Sequence, residues 1–430
     1  MRYVLAMRFL LLALFATGCA GDDPVDLTPT DGGTNPWSEE ALRRIERMRH
    51  DPTPRPDPSN AVADDPAAAV LGQWLFFDTS LSIDGEVSCA SCHQPDHGFS
   101  DTVPLSVAQE ELPRHTPPVW NTADNEWFFW DGRKDTQWSQ ALGPIENAKE
   151  HGFNRVAAIR AVAEQPDVAA AYEEVFGPLP DLQGVPDATP LRPSDDPWAL
   201  AWEQLDEPTR HEIDVAFSNI GKAIAAYERQ LMTGPTRFDV WMQALLDEGP
   251  AAAAALPDAL TAEEQRGLEL FVGDANCHLC HFGPDLTNEA FHNIGLEGPI
   301  DNGRFNGILD LVSDPFNAAG DYSDDPAWGA DRLARLPAAP PASETLGQFK
   351  VPSLRGVGQS APYFHDGSHE TLEAVVAYYS RELTDPPVGH REESLVILDL
   401  LEEDEAALVA FLRSLDVPSP PDELLAPPDL

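Results

Sequence analysis

Cys89-Ala90-Ser91-Cys92-His93 and Cys277-His278-Leu279-Cys280-His281 each place two thiols three positions apart with an imidazole directly after the second. On one turn of chain, the two sulfurs can bond the vinyl groups of a haem while the imidazole ligates its iron. A zinc site would need a fourth ligand at each place and gains nothing from a histidine adjoining a cysteine. The cysteine inventory agrees. Of five cysteines, four fall in these motifs and the fifth, Cys19, stands apart near the N-terminus, so no disulfide framework remains to be built.

Two haems do not by themselves separate an electron carrier from an enzyme. A carrier closes both irons with His or Met, whereas an enzyme leaves one open for peroxide or oxygen. The methionines are Met1, Met7, Met48, Met232 and Met242, and none follows the second motif. His/Met ligation of the second haem from its own domain is therefore excluded. His292, His365, His369, His390 and the tyrosines remain as candidates.

Positioning these groups falls mostly to helices. Pro66 to Asp78 reads as a helix leading into the first motif, and Thr261-Ala262-Glu263-Glu264 as a capping box starting the helix into the second. Ser38 caps a short helix from Trp37 to Arg49. Helical stretches are expected near 155–176 and at 208–231, the latter from Ile213, Phe217, Ile220, Ile224, Tyr227 and Leu231. Two last helices are expected at Glu370–Arg381 and Glu402–Leu415. Residues 297–348 are rich in Gly, Asp and Pro and read as one long loop, and no strand pattern appears. The fold class is mainly α: two c-type cytochrome domains, each wrapped around one covalent haem, with long irregular loops.

The domains are drawn at 66–245 (peroxidatic haem) and 261–420 (electron-transfer haem), with a linker between them. Residues 20–65 read as a flexible tether and N-terminal extension. Residues 1–19 read as a lipoprotein signal peptide, with Arg2 and Arg8, a short apolar run, and Ala16-Thr17-Gly18 before the lipidated Cys19. The expected location is the periplasm, with membrane attachment through the lipid anchor only. A net charge of −46, from 27 basic and 73 acidic residues, excludes non-specific nucleic-acid binding and favours a basic or neutral partner.

An ordered set of further motifs then carries a resemblance. These are Leu71-Gly72-Gln73-Trp74-Leu75-Phe76-Phe77-Asp78, Trp130-Asp131-Gly132-Arg133 and Gly143-Pro144-Ile145-Glu146-Asn147 in the first half. Phe349-Lys350-Val351-Pro352-Ser353-Leu354-Arg355 and Ala361-Pro362-Tyr363-Phe364-His365-Asp366-Gly367-Ser368 follow in the second. Over roughly residues 66–415 the chain resembles the bacterial di-haem cytochrome c peroxidases, including the MauG-like enzymes. The resemblance implies that the N-terminal haem meets peroxide and the C-terminal haem handles electrons. It implies that Trp130 relays between them and that Glu150 is the distal acid, with Gln140 and Pro144 in the same pocket. It also places the second haem's axial ligand fourteen residues after His365, at Tyr379. Ordinary members have methionine there and MauG-like members tyrosine. An anionic tyrosinate favours high-valent iron and would let the second haem store an oxidising equivalent.

The chain departs from the family pattern in two places. Many members carry Asn after an Arg where this chain has Arg114-His115. That Asn helps bind a calcium ion between the haems, with backbone carbonyls here matching Ser360 and Pro362, and imidazole is a poor ligand for so hard a cation. Between His97 and His115 no histidine occupies the place that blocks the peroxide haem in resting ordinary members, so either that haem is open, the favoured reading, or one of those two closes it. The leading function is peroxide-dependent oxidation of a protein partner through a Trp-linked haem pair. The alternatives are an ordinary peroxidase drawing electrons from a small cytochrome c or cupredoxin, and a di-haem carrier with no active site.

Overall fold

The computed structural model describes residues 36–337 and 339–430. The expected signal peptide, Cys19 and the first part of the tether lie outside the described residues. Among those described, no helix is long and apolar enough to cross a membrane.

The chain is mainly α, with two halves built on one plan. In the first, Asp65 caps the Pro66–Phe77 helix by accepting from Ala67 N–H, and Pro66 supplies a preset first turn. This helix crosses Glu207–Glu228, which Asp206 caps and which carries the apolar repeat read from sequence. At the crossing a Cβ on Gly72 would lie 1.8 Å from the Ala223 carbonyl oxygen, so only glycine lets the two backbones meet. Leu71, Leu75, Phe76, Phe217, Ile220 and Ile224 are buried around it.

In the second half the expected capping box forms, with Thr261 N–H donating to Glu264 Oε2 and Glu264 N–H to Thr261 Oγ1. The Ala262–Val272 helix then crosses Glu402–Arg413. Again a glycine stands at the crossing, where a Cβ on Gly267 would lie 2.0 Å from the Ala407 oxygen. Leu268, Phe271, Leu408 and Phe411 fill the core beside it.

Three features differ from the sequence reading. Residues 297–348 are not one loop: they hold helices at Arg304–Ser313, Pro326–Leu333 and Ala342–Thr345. The first buries Arg304, Gly307, Ile308 and Leu311 on one face, a helical spacing masked in the sequence by the Gly, Asp and Pro around it. Phe316 joins the first core, where buried Arg155 is stacked under it and pairs with Glu146 and Asp214. The 155–176 stretch is two helices, Arg155–Ala163 and Pro166–Phe176, because Pro166 cannot continue the first. A two-residue antiparallel pair joins Phe291–His292 to Phe349–Lys350, too short to leave a pattern in sequence.

The ends of the chain cross over. Ser38 caps Glu39–Glu46 as expected, and Trp37, Ala41, Ile45 and Met48 sit in the second core, not the first. Arg44 donates to the Val272 carbonyl at 2.6 Å. The Arg237–Glu248 helix also buries Phe238, Trp241 and Leu245 in the second core, so the boundary drawn at 245 falls inside it. Conversely, Val417 and Leu424 from the C-terminal tail sit in the first core. Tyr227 Oη donates to Leu424 O at 2.6 Å, and Gln73 Nε2 donates to the carbonyls of Glu423 and Ala426.

Candidate active site

The two haem motifs fold the same way. His93 N–H donates to Cys89 O and His281 N–H to Cys277 O, each at 2.9 Å, which closes each motif into a single turn. His93 Nδ1 lies 3.0 Å from Phe99 O, and His281 Nδ1 lies 3.0 Å from Leu286 O. A backbone carbonyl on Nδ1 fixes the tautomer and leaves Nε2 as the free lone pair, the arrangement of a metal-ligating histidine. Burial holds both rings neutral, with His93 below its ordinary value and His281 pushed down to about 4. None of the four motif cysteines is in a disulfide. Burial pushes the Cys92 thiol up to about 11 and Cys277 to about 12. The residues at both places fit a haem.

His93 faces a cavity of about 490 Å³ whose walls include Trp130, Gln140, Pro144 and Glu150. The structure thus brings together the distal residues expected from sequence. Gln140 and Pro144 come from the Gln137–Glu146 helix, which Thr136 caps. Glu150 follows on the next turn, and Asn147 Nδ2 donates to its Oε1 at 2.6 Å. Burial raises the Glu150 carboxyl above its usual range, against the pull of Arg133 and Asn147.

Trp130 also lines the cavity, where the first half meets the second. Its Nε1–H donates to His115 O at 2.9 Å, and its carbonyl accepts from Lys350 N–H at 2.7 Å. His365 from the second half stands edge-on to it at 6.4 Å and stacks on Phe349 at 3.5 Å. Asp131 accepts from Arg114 and Arg133, and Arg304 donates to the carbonyls of Asp131 and Gly132. Gly132 has φ +65°, and a Cβ there would meet Arg304 at 2.3 Å, so Trp130-Asp131-Gly132-Arg133 needs its glycine for both reasons.

Tyr379 sits elsewhere, beside the second motif. The Leu372–Ala377 helix loosens into a π-helical turn at Tyr378–Glu382, a distortion that recurs at functional sites. Tyr378 Oη donates to Ile294 O at 2.8 Å, which commits it to packing. Burial, and after it the nearby Tyr378, Cys280 and Cys277, hold the Tyr379 phenol well above its ordinary value.

A family model described as di-haem cytochrome c peroxidase matches residues 66–245. The methylamine utilization protein MauG of Methylorubrum extorquens is 30% identical over 378 residues, covering 86% of this chain and 83% of its own. The chain belongs to the di-haem cytochrome c peroxidase family. The cytochrome c551 peroxidase of Nitrosomonas europaea is 29% identical, with 84% and 83% covered. Two solved structures share the fold. One is a MauG-like protein associated with microbial copper homeostasis (TM-score 0.60, 24% identity, 87% and 97% covered). The other is the diheme peroxidase BthA from Burkholderia thailandensis (TM-score 0.58, 21% identity, 85% and 89% covered). As a member of this family the chain is a peroxidase with two haem cofactors, acting on hydrogen peroxide together with a redox partner or protein substrate.

The di-haem peroxidase site also holds groups that sequence reading passed over. Glu228 lines the cavity and is 4% exposed, and burial pushes its carboxyl up to about 8. In sequence it is one acid at the end of a helix, with nothing to say that it faces inward. His292 Nδ1 lies 2.7 Å from Glu392 Oε2, and its Nε2 is buried with no hydrogen-bond partner. His292 was visible as a candidate ligand, but its partner lies 100 residues away. For the calcium already doubtful from Arg114-His115, the His115 ring faces the Ser360 carbonyl where a cation would need an oxygen ligand, and among the described residues no three His, Cys, Asp or Glu side chains gather to hold a metal ion.

Proposed function

We propose that this peroxidase carries covalent haems at Cys89, Cys92 and His93 and at Cys277, Cys280 and His281, and uses hydrogen peroxide to oxidise a protein partner in the MauG-like manner. The observation that carries the reading is Tyr379. It lies beside the second motif, in a chain with no methionine after that motif. The haem, when bound, supplies an iron that takes up the oxidising equivalents of peroxide.

The chain's own residues do the rest. Glu150 accepts the proton from the near oxygen of peroxide and delivers it to the far one, so that O–O cleavage releases water. Asn147 fixes the carboxyl that does so, and burial holds its pKa above the usual carboxylate range. Gln140 orients peroxide from the neighbouring helix turn. Trp130 passes electrons between the two sites, its indole held in plane by the hydrogen bond to His115 O. Tyr379 would, with His281, hold the haem iron of the second site. The partner is a small cytochrome c, a cupredoxin or a protein oxidised at a tryptophan, and the enzyme meets it in the periplasm, anchored through lipid on Cys19.

Stoichiometric peroxide added to the ferric protein, followed optically and by EPR, tests this. The expected result is a long-lived state oxidised at both haems. Reaction only after one-electron reduction overturns it in favour of an ordinary cytochrome c peroxidase, and no reaction in favour of a carrier.

A further inference from the structure

The misfit of calcium at the junction between the halves has a positive counterpart in His115. Its ring is 4% exposed and surrounded by oxygen. Nδ1 lies 3.1 Å from Val103 O, Nε2 lies 3.4 Å from Ser100 Oγ, and Asp101 Oδ1 lies 3.8 Å from the ring. The carbonyls of Pro104 and Ser360 also face it. Val103 and Pro104 belong to the first half and Ser360 to the second, so the ring joins acceptors from both. A calcium ion would draw six to eight oxygens in to about 2.3–2.6 Å, and here the side chain offered among those oxygens is an imidazole, a poor ligand for so hard a cation. The main chain of the same residue ties the junction again. Its N–H donates to His365 O at 2.8 Å and its carbonyl accepts the Trp130 indole at 2.9 Å. On either side, Arg114 bridges Asp131 of the first half to Asp301 of the second, and Thr116 O accepts from Ser100 Oγ.

We infer that His115 is a positioning residue that stands in for a bridging cation: its ring gathers the carbonyls of both halves and holds Trp130 in register, so the enzyme works without calcium. The inference rests on Trp130 as the link between the haems.

The purified di-haem protein tests it in two arms. In the first, metal content is measured with iron as internal standard, and the ferric EPR spectrum and melting temperature are recorded before and after EGTA. The expected result is iron without stoichiometric calcium and no change on chelation. Stoichiometric calcium, or an EPR or melting shift on chelation, overturns the inference. This arm uses no peroxide, so its failure is distinct from failure of the proposed function. In the second arm, electron transfer between the haems is timed in half-reduced His115→Asn and His115→Ala. Both are expected to be slower by about tenfold or more, as for loss of a group that orients a site. Calcium is expected to restore His115→Asn, whose amide oxygen can ligate it, and not His115→Ala. Unchanged transfer in both variants without calcium overturns the positioning role. A Trp130→Phe variant with unchanged transfer would instead remove the relay on which the inference rests.

Discussion

The two halves attach their histidines identically and differ in what stands opposite. Each has a helix leading into its motif, a glycine where that helix crosses a later one, a 2.9 Å closing hydrogen bond and a 3.0 Å contact from Nδ1 to a backbone carbonyl. Opposite His93 lies a cavity with a carboxyl and an amide on its wall. Beside His281 the chain brings a phenol on a π-helical turn. The shared frame is therefore a holder, and the chemistry of each half is written by a few residues outside it.

The largest expected effect breaks the contrast at its reactive side. Glu150→Gln keeps the shape and the contact to Asn147 but cannot shuttle the proton. The second-order rate constant with peroxide in stopped flow should fall by about 10²–10⁴-fold, with both resting spectra unchanged. Next comes the quiet side: Tyr379→Phe should alter the spectrum and raise the potential of the second haem alone, and an unchanged spectrum would remove Tyr379 as a ligand. The shared frame is tested by Gly72→Ala and Gly267→Ala. Each forces a Cβ into a carbonyl oxygen and should cost about 1–3 kcal/mol or more. Calorimetry should show each melting lower, and the spectral disturbance should stay with the haem of the mutated half.

A last comparison concerns pH. Glu228 is held up to about 8 from an ordinary 4.5. Between those values the folded state binds a proton that the unfolded state has released, so this group's stabilisation is full below 4.5 and is lost as pH rises through 8. The slope is at most about 1.4 kcal/mol per pH unit. Urea unfolding at pH 5, 6.5 and 8 should show a shallower decline in Glu228→Gln than in the native protein.

What could be read from sequence was local chemistry. The haem motifs, the Thr261–Glu264 box and the absence of a late methionine each lie within a few residues or are simple inventories. Trp130, Gln140 and Glu150 were legible through family resemblance, and they do share a cavity with His93. What could not be read was decided at long range. Phe316, between two of the helices within 297–348, is buried over Arg155 of the other half, a contact that no local pattern announces. Sequence marks His115 as a poor calcium ligand, but only the fold puts its ring among the carbonyls of both halves.

The crossed termini also bear on how electrons move. Trp37 and Ile45 are buried in the second core, while Val417 and Leu424 are buried in the first. Separating the halves would strip apolar side chains from both, at about 1.5–3 kcal/mol for each large one. Any drawing apart of the two motifs therefore costs that burial at both ends of the chain, and the sites between which electrons would pass are laced together by the chain's own termini.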